Sequence, residues 1–311
     1  MARAKELDTD PRRPRIDKTL YEIYQPGSTL KPMVAIAGLM EHVVKDHPRV
    51  TCGGYYELGR DRKRCTQVHG DVDLRAALVQ SCNVYFYRLA ETLGLDRVYK
   101  YFTDFGFGQK TGIGINTEAA GFIPTRQWYV DHYKTPFRIG YTLNEAIGQG
   151  NTRVTLLQLA MAYAALANGG VIYAPKLVNG VRSHDKEVVE RGFPAKIKKT
   201  LGIPQEYLEE VRKGMIGVVN DSKGTAFDAR IPDGVLIAGK TGTAQVSQQA
   251  ESTSIAFPNF QLNRDHAWFA GFAPAIQPEL AIVVLVEHGG GGGKYAAPIA
   301  INALTEYFRQ R

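Results

Sequence analysis

The stretch Tyr24-Gln25-Pro26-Gly27-Ser28-Thr29-Leu30-Lys31-Pro32 leads into a run of apolar residues, Met33, Val34, Ile36, Ala37, Leu39 and Met40. Pro-Gly marks a turn. Ser28 is placed to cap a buried helix over 28–44, with Pro32 in the first turn, where a missing N–H does no harm. Ser28 and Lys31 are three apart, so on a helix they share a face. A serine hydroxyl is a weak nucleophile until a base removes its proton. A lysine supplies that base when burial or a nearby cation keeps it neutral near pH 7. The start of a helix also favours developing negative charge. Read alone, the pair is more simply a capping serine beside a surface lysine.

Two further short motifs follow in order. Ser81-Cys82-Asn83 puts a hydroxyl and an amide two residues apart, able to reach one cavity from a turn. The hydroxyl can relay a proton, and the amide can hold a carbonyl or the lysine. Alone, the motif reads as the cap of the helix that follows. Lys240-Thr241-Gly242-Thr243 lies on a β-rich run, 235–246. A strand edge beside a nucleophile can dock an extended peptide by main-chain pairing. Lys240 would add a cation, the threonine hydroxyls would bind a carboxylate, and Gly242 would let backbones approach. The bland alternative is a strand with a polar edge. Each motif is weak by itself; their joint occurrence in this order is far more specific.

Around these motifs, residues 1–24 read as a polar linker and 48–70 as irregular. Helices are expected over 73–93 and 152–168, the second closed by Gly169-Gly170. Short helices and Gly-rich turns fill 94–150. The last third is β-rich over 235–246, 266–274 and 280–288, with a long loop at 247–264 that is functional or mobile. An amphipathic helix over 296–310 closes the chain. The glycine run 289–293 lacks the Lys-Ser/Thr of a phosphate loop and reads as a flexible loop.

The 311 residues, 44% apolar and 22% charged with three Cys, exclude a disordered chain, a collagen-like repeat and a disulfide-stapled miniprotein. The most apolar stretch, 154–167, carries Thr155 and Gln158 and falls short of the ~20 residues of a membrane span. The net charge of +7 fits a solvated basic surface or an anionic partner. Basic clusters occur only at 60–64 and 196–199, without interleaved aromatics, which argues against nucleic acid. Residues 1–17 lack the apolar core of a signal peptide. Taken alone, that suggests a cytosolic protein, or a piece of a longer chain whose targeting segment is elsewhere.

The motif trio resembles that of the penicillin-binding proteins. Ala146-Ile147-Gly148-Gln149-Gly150, the run Thr155-Leu156-Leu157-Gln158-Leu159-Ala160 and the segment His266-Ala267-Trp268-Phe269-Ala270-Gly271 fit the same family. The chain is similar to the transpeptidase domain of the class B members. Glu287-His288-Gly289 and Ala296-Ala297-Pro298-Ile299 resemble the elongation-type PBP2 branch. This resemblance implies an α+β fold over 25–311: an antiparallel sheet flanked by helices on both faces, plus an all-helical subdomain. Two strands, a pedestal domain and a membrane anchor precede the first motif in the family. Only 27 residues precede Ser28, so the chain is expected to be a fragment whose sheet lacks those strands.

The resemblance also implies roles. Ser28 would attack the penultimate D-Ala carbonyl of a stem peptide, with Lys31 as base, Ser81 as proton shuttle and Asn83 positioning substrate. Lys240, Thr241 and Thr243 would bind the terminal carboxylate, with Gly242 admitting the backbone. The amides of Ser28 and Thr243 would form the oxyanion hole. An acceptor amine would resolve the acyl-enzyme, and β-lactams would acylate Ser28 and stay. Partners would be peptidoglycan stem peptides, lipid-linked strands, a membrane-embedded glycosyltransferase and elongation-complex proteins, at the periplasmic face of the inner membrane. No cofactor is needed for that chemistry. The competing readings are a serine β-lactamase, for which no glutamate has a recognisable context, and a catalytically silent β-lactam sensor.

Cys52, Cys65, His69 and Cys82 form the pattern C-x12-C-x3-H-x12-C. Three thiolates and an imidazole make a closed tetrahedral zinc set. The resemblance implies zinc: some PBP2 members bind it close to the SxN motif, with a histidine upstream of that motif's cysteine at the spacing of His69 from Cys82, and Cys52 and Cys65 would stand in for the carboxylates that often complete their set. The alternatives are a Cys52–Cys65 disulfide and three unrelated thiols.

Overall fold

The computed structural model describes residues 2–10, 12–115, 117–182, 189–232, 234–245 and 264–311. Most of the 247–264 loop expected from sequence therefore lies outside the described residues. The helices are α1 (Ala2–Thr9), α2 (Lys31–Met40), α3 (Val43–Asp46), α4 (Leu74–Val79), α5 (Asn83–Asp104), α6 (Arg126–Tyr133), α7 (Ile139–Ala146), α8 (Leu156–Ala167), α9 (Gln205–Asn220) and α10 (Gly292–Arg309). The strands are β1 (Val50–Cys52), β2 (Tyr55–Leu58), β3 (Asp61–Arg64), β4 (Gly70–Val72), β5 (Val171–Tyr173), β6 (Gly180–Arg182), β7 (Val189–Gly192), β8 (Ile197–Thr200), β9 (Ala238–Ala244), β10 (His266–Ala273) and β11 (Leu280–Val286).

The last three strands form one antiparallel sheet in the order β11-β10-β9. Side chains alternate across a strand, so each strand serves two cores. Trp268, Ala270 and Phe272 of β10 enter the larger core with α2, α5 and α8. Ala267, Phe269 and Ala273 enter a smaller core with α10, which presents Ala296, Ala297, Ala300, Ile301 and Leu304. β11 divides likewise, Ala281, Val283 and Leu285 to one side and Ile282, Val284 and Val286 to the other. Helices thus flank the sheet on both faces, as the resemblance implied. Each large side chain so buried contributes about 1.5–3 kcal/mol relative to exposure.

α2 is apolar all round, and Met33 to Ala37 are at most 1% exposed. A helix of that kind belongs in a core, and α2 packs against α5 and α9. α8 begins with a full capping box between Thr155 and Gln158.

Several local expectations are corrected. Residues 28–44 do not form one helix: 27–30 is a tight 3-10 turn, α2 follows, and His42 in left-handed conformation (φ 61°) separates α3. Ser28 lies inside the turn and is not its cap; Pro26 holds that position. The expected helix over 73–93 is two helices, broken at residues 80–82, because Ser81 is left-handed with φ 56°. The second half runs on to Asp104 through a non-helical Gly94. Residues 48–70 are not irregular; they form β1 to β4 as two small antiparallel pairs. Residues 2–9 are helical where an extended linker was expected. α10 starts inside the glycine run, at Gly292.

Candidate active site

Ser28 is half-buried on the 3-10 turn that precedes α2. The turn is held from three sides. Gly27 donates its N–H to the Gly148 carbonyl at 3.0 Å. The Thr29 hydroxyl bonds Pro26 O at 2.7 Å, and the Tyr163 hydroxyl of α8 bonds Thr29 O at 2.8 Å. Gly27 has φ +57°, and a Cβ there would lie 2.9 Å from Thr243 O, so this turn can approach β9 only with glycine. The Ser28 amide lies in a first turn, where helical N–H groups lack internal partners.

Lys31 is 0% exposed at the start of α2. Its Nζ lies 2.7 Å from Ser81 O, 3.1 Å from Ser81 Oγ and 2.7 Å from Asn83 Oδ1. Burial pushes its pKa down from the ordinary lysine range to about 8. A neutral amine fits this nest by donating to Ser81 O and Asn83 Oδ1 while its lone pair accepts the Ser81 hydroxyl proton. Among the described residues, no hydrogen bond links Ser28 Oγ to Lys31. The break between α4 and α5 makes the nest: left-handed Ser81 turns its carbonyl and hydroxyl to one amine. Strained backbone of this kind is concentrated at functional positions.

β9 forms the opposite wall. Lys240 is 0% exposed; burial, and then the nearby Lys31, push its pKa well below the ordinary range. Its Nζ donates to Thr241 O at 3.2 Å. Thr241 Oγ1 lies 2.5 Å from Thr225 Oγ1. A Cβ at Gly242 would come within 3.0 Å of Pro26 O, Thr29 Cγ2 and Trp268 Cβ, so glycine is needed where β9 meets the turn. The Gly292 N–H donates to Thr243 Oγ1 at 3.3 Å. Ser28, Ser81, Asn83, Thr241, Gly242 and Thr243 all line one cavity of about 560 Å³. Lys31 and Lys240 lie beneath it.

The family described as "Penicillin binding protein transpeptidase domain" matches residues 2–305. The chain belongs to the penicillin-binding protein transpeptidase family. It is 36% identical over 313 residues to the peptidoglycan D,D-transpeptidase MrdA of Haemophilus influenzae, covering 99% of this chain and 48% of that protein. The chain therefore spans about half the length of that relative. It is similar to Pseudomonas aeruginosa PBP2 in complex with WCK 5153, with a TM-score of 0.81 and 35% identity over 99% of this chain and 64% of that one. It is also similar to Helicobacter pylori PBP2 in complex with MreC, with a TM-score of 0.85 and 27% identity over 100% of this chain and 54% of that one.

In this penicillin-binding protein domain the cavity has walls that the sequence motifs did not reveal. Thr225 and Lys223 come from the loop after α9, Arg64 from the end of β3, and Gln149 from the loop after α7. Gln149 lies in the 146–150 stretch that matched the family, so its place had a signal. The loop at 223–225 had none.

Beside the cavity, the side chains of Cys52, Cys65, His69 and Cys82 offer ligand atoms that all lie within 4.8 Å of one another. His69 Nδ1 is 3.4 Å from Cys52 Sγ and 3.4 Å from Cys65 Sγ. The three cysteines are free. Contact with the Cys82 thiol and amide donation from Asn83 and Val84 hold the Cys65 thiol well below its ordinary range, while the same contact and burial push Cys82 up. A tetrahedral zinc bound at the usual Zn–S and Zn–N distances spaces its ligand atoms about 3.5–3.8 Å apart; the two His69–cysteine distances lie close to that, and the donor set of three thiols and an imidazole fits the ion with the remaining pairs closing by up to about 1 Å. His69 Nε2 is buried without a hydrogen-bond partner.

Proposed function

We propose that this chain is the acyl-transfer domain of a peptidoglycan D,D-transpeptidase of the elongation type. The observation that carries the reading is convergence: three segments far apart in sequence meet around Ser28, with a buried amine tied to Ser81 and Asn83 on one side and threonine hydroxyls on the other. Ser28 Oγ attacks the carbonyl carbon of the penultimate D-Ala of a stem peptide, and its proton passes to Lys31. The oxyanion forms between the Ser28 and Thr243 amides. As the C–N bond breaks, Ser81 returns the proton from Lys31 to the departing D-Ala amine. An acceptor amine then attacks the ester and releases Ser28. Thr241 and Thr243 hold the terminal carboxylate, with Lys240 beneath them and Gly242 letting the substrate backbone close in. β-Lactams acylate the same serine.

The named relatives support this reading, and MreC in the complex with H. pylori PBP2 supports elongation-complex partners reached through a longer parent chain. Lipid-linked strands, a glycosyltransferase and the periplasmic face of the inner membrane belong to the same proposal. No helix among the described residues is long and apolar enough to cross a membrane.

We also propose a structural zinc held by Cys52, Cys65, His69 and Cys82. Four protein ligands leave no open position, so the ion would brace the Ser81–Asn83 turn and take no part in the reaction.

The test is incubation with a stem pentapeptide ending in D-Ala-D-Ala and an amine acceptor. Release of D-Ala together with a peptide–acceptor product supports the reading. Hydrolysis of penicillin with an acyl-enzyme lifetime of about seconds would make the domain a β-lactamase instead. Penicillin labelling with no reaction on any D-Ala-D-Ala peptide would make it a sensor.

A further inference from the structure

The acyl-transfer reading gives no role to Gln149, although its stretch is one that carries the family likeness. The residue lies on the loop 147–152, which is anchored from beneath. Glu145 is 1% exposed. Its carboxylate accepts from the Asn151 amide at 2.6 Å, the Thr152 amide at 3.1 Å, the Thr152 hydroxyl at 2.5 Å, and the Tyr129 hydroxyl. A buried carboxylate with this many donors fixes the loop in place.

From that base the loop reaches two segments. Gly148 O accepts from the N–H of Gly27, next to Ser28, at 3.0 Å. Gln149 spans the end of the β9 edge: Nε2 donates to Thr243 O at 2.8 Å, and Oε1 accepts from Gln245 N–H at 3.1 Å. A neighbouring strand residue would offer the same donor and acceptor, so this one side chain stands in for a strand. Gln25 donates to Gly150 O at 2.6 Å and closes the loop against the nucleophile turn. In a strand the N–H and C=O of one residue point the same way. Fixing Thr243 O therefore fixes the direction of the Thr243 amide.

We propose that Gln149 is a positioning residue that sets the separation of the Ser28 and Thr243 amides by pairing its carboxamide with the outer edge of β9. This rests on the acyl-transfer reading of the cleft. Oxyanion donors act only within about 2.7–3.1 Å of the developing charge. A displacement of about 1 Å at a reacting centre lowers rate by roughly 10²-fold.

The test compares the second-order rate of acylation by a fluorescent penicillin in wild type, Gln149→Glu and Gln149→Met, from about pH 5 to about pH 8. An ionised carboxylate has no proton to give Thr243 O, whereas a protonated carboxyl has one. The carbonyl facing it raises the pKa of the new carboxyl. The Gln149→Glu rate relative to wild type is expected to rise about tenfold as pH falls, while Gln149→Met stays slow by roughly 10- to 100-fold at every pH. A relative rate for Gln149→Glu that does not change with pH, or wild-type acylation in Gln149→Met, overturns the proposal. If Gln149→Glu does not fold, Gln149→Met decides alone. A wild type that penicillin does not label sinks the acyl-transfer reading itself, a result distinct from either.

Discussion

Lys31 carries the most chemical information of any single residue. Sequence spacing places it one turn from Ser28, yet its bonded partners are Ser81 and Asn83, from a segment fifty residues away. Burial outweighs the opposing charge effect of the Cys65 and Cys82 sulfurs and holds its pKa at about 8. The neutral form, which would be the base in the proposed reaction, grows as pH rises through that value. The acylation rate is therefore expected to climb about tenfold per pH unit below 8 and level off above it, as stopped-flow measurement with a chromogenic β-lactam would show. Lys31→Met should lose roughly 10²- to 10⁴-fold in rate and lose that pH dependence. Ser28, Lys31, Ser81, Asn83 and the Lys240-Thr241-Gly242-Thr243 run could be picked out as one candidate site because acyl transfer would need particular residue types at short spacings, and they do meet at one cavity. Thr225 was not legible: its position depends on how the loop after α9 folds against β9, which no local pattern encodes.

The elements show where periodicity helps and where it misleads. α8, α10 and the three late strands were readable because each buries one regular face or alternates between two. The single helix expected over 73–93 was wrong for a definite reason. Apolar residues continue at helical spacing through 80–82, but the left-handed backbone at Ser81 breaks the hydrogen-bond ladder and turns the hydroxyl to Lys31. Two neighbours hold that break. Asn83 N–H donates to Cys65 Sγ at 3.1 Å, and Cys82 is fully buried beside the cysteine–histidine cluster. If zinc occupies the cluster, Cys82→Ser or a strong chelator should lower the melting temperature by about 5–10 °C, corresponding to ~3 kcal/mol. Acylation in the protein that remains folded should change much less. Metal analysis of the untreated protein should find about one zinc per chain. An unchanged melting temperature with no metal would leave the three thiols as ordinary buried groups.

At the scale of the whole molecule, the β11-β10-β9 sheet separates two cores, and the cleft lies where β9 meets the turn that carries Ser28. Leu304 lies twelve residues along α10 from Gly292, which lines the cavity, and is buried in the smaller core. Leu304→Ala should therefore cost about 2–5 kcal/mol in urea denaturation while leaving the acylation rate of the folded fraction close to wild type. The antiparallel sheet with helices on both faces was legible from the family likeness and the alternating runs. The four strands β1 to β4 were not: they are three or four residues long, and among them only Cys52, Tyr56 and Val72 are buried, too few to make an alternating pattern. The molecule brings the three motifs to one cavity by packing α2 between α5 and α9 and pressing its first turn onto β9. The most direct measurement of that convergence is intact-mass and peptide mapping after exposure to a fluorescent penicillin. One covalent adduct per chain, mapped to Ser28 and absent in a folded Ser28→Ala variant, is the predicted result. Equal labelling of Ser28→Ala, or an adduct on another residue, would contradict it.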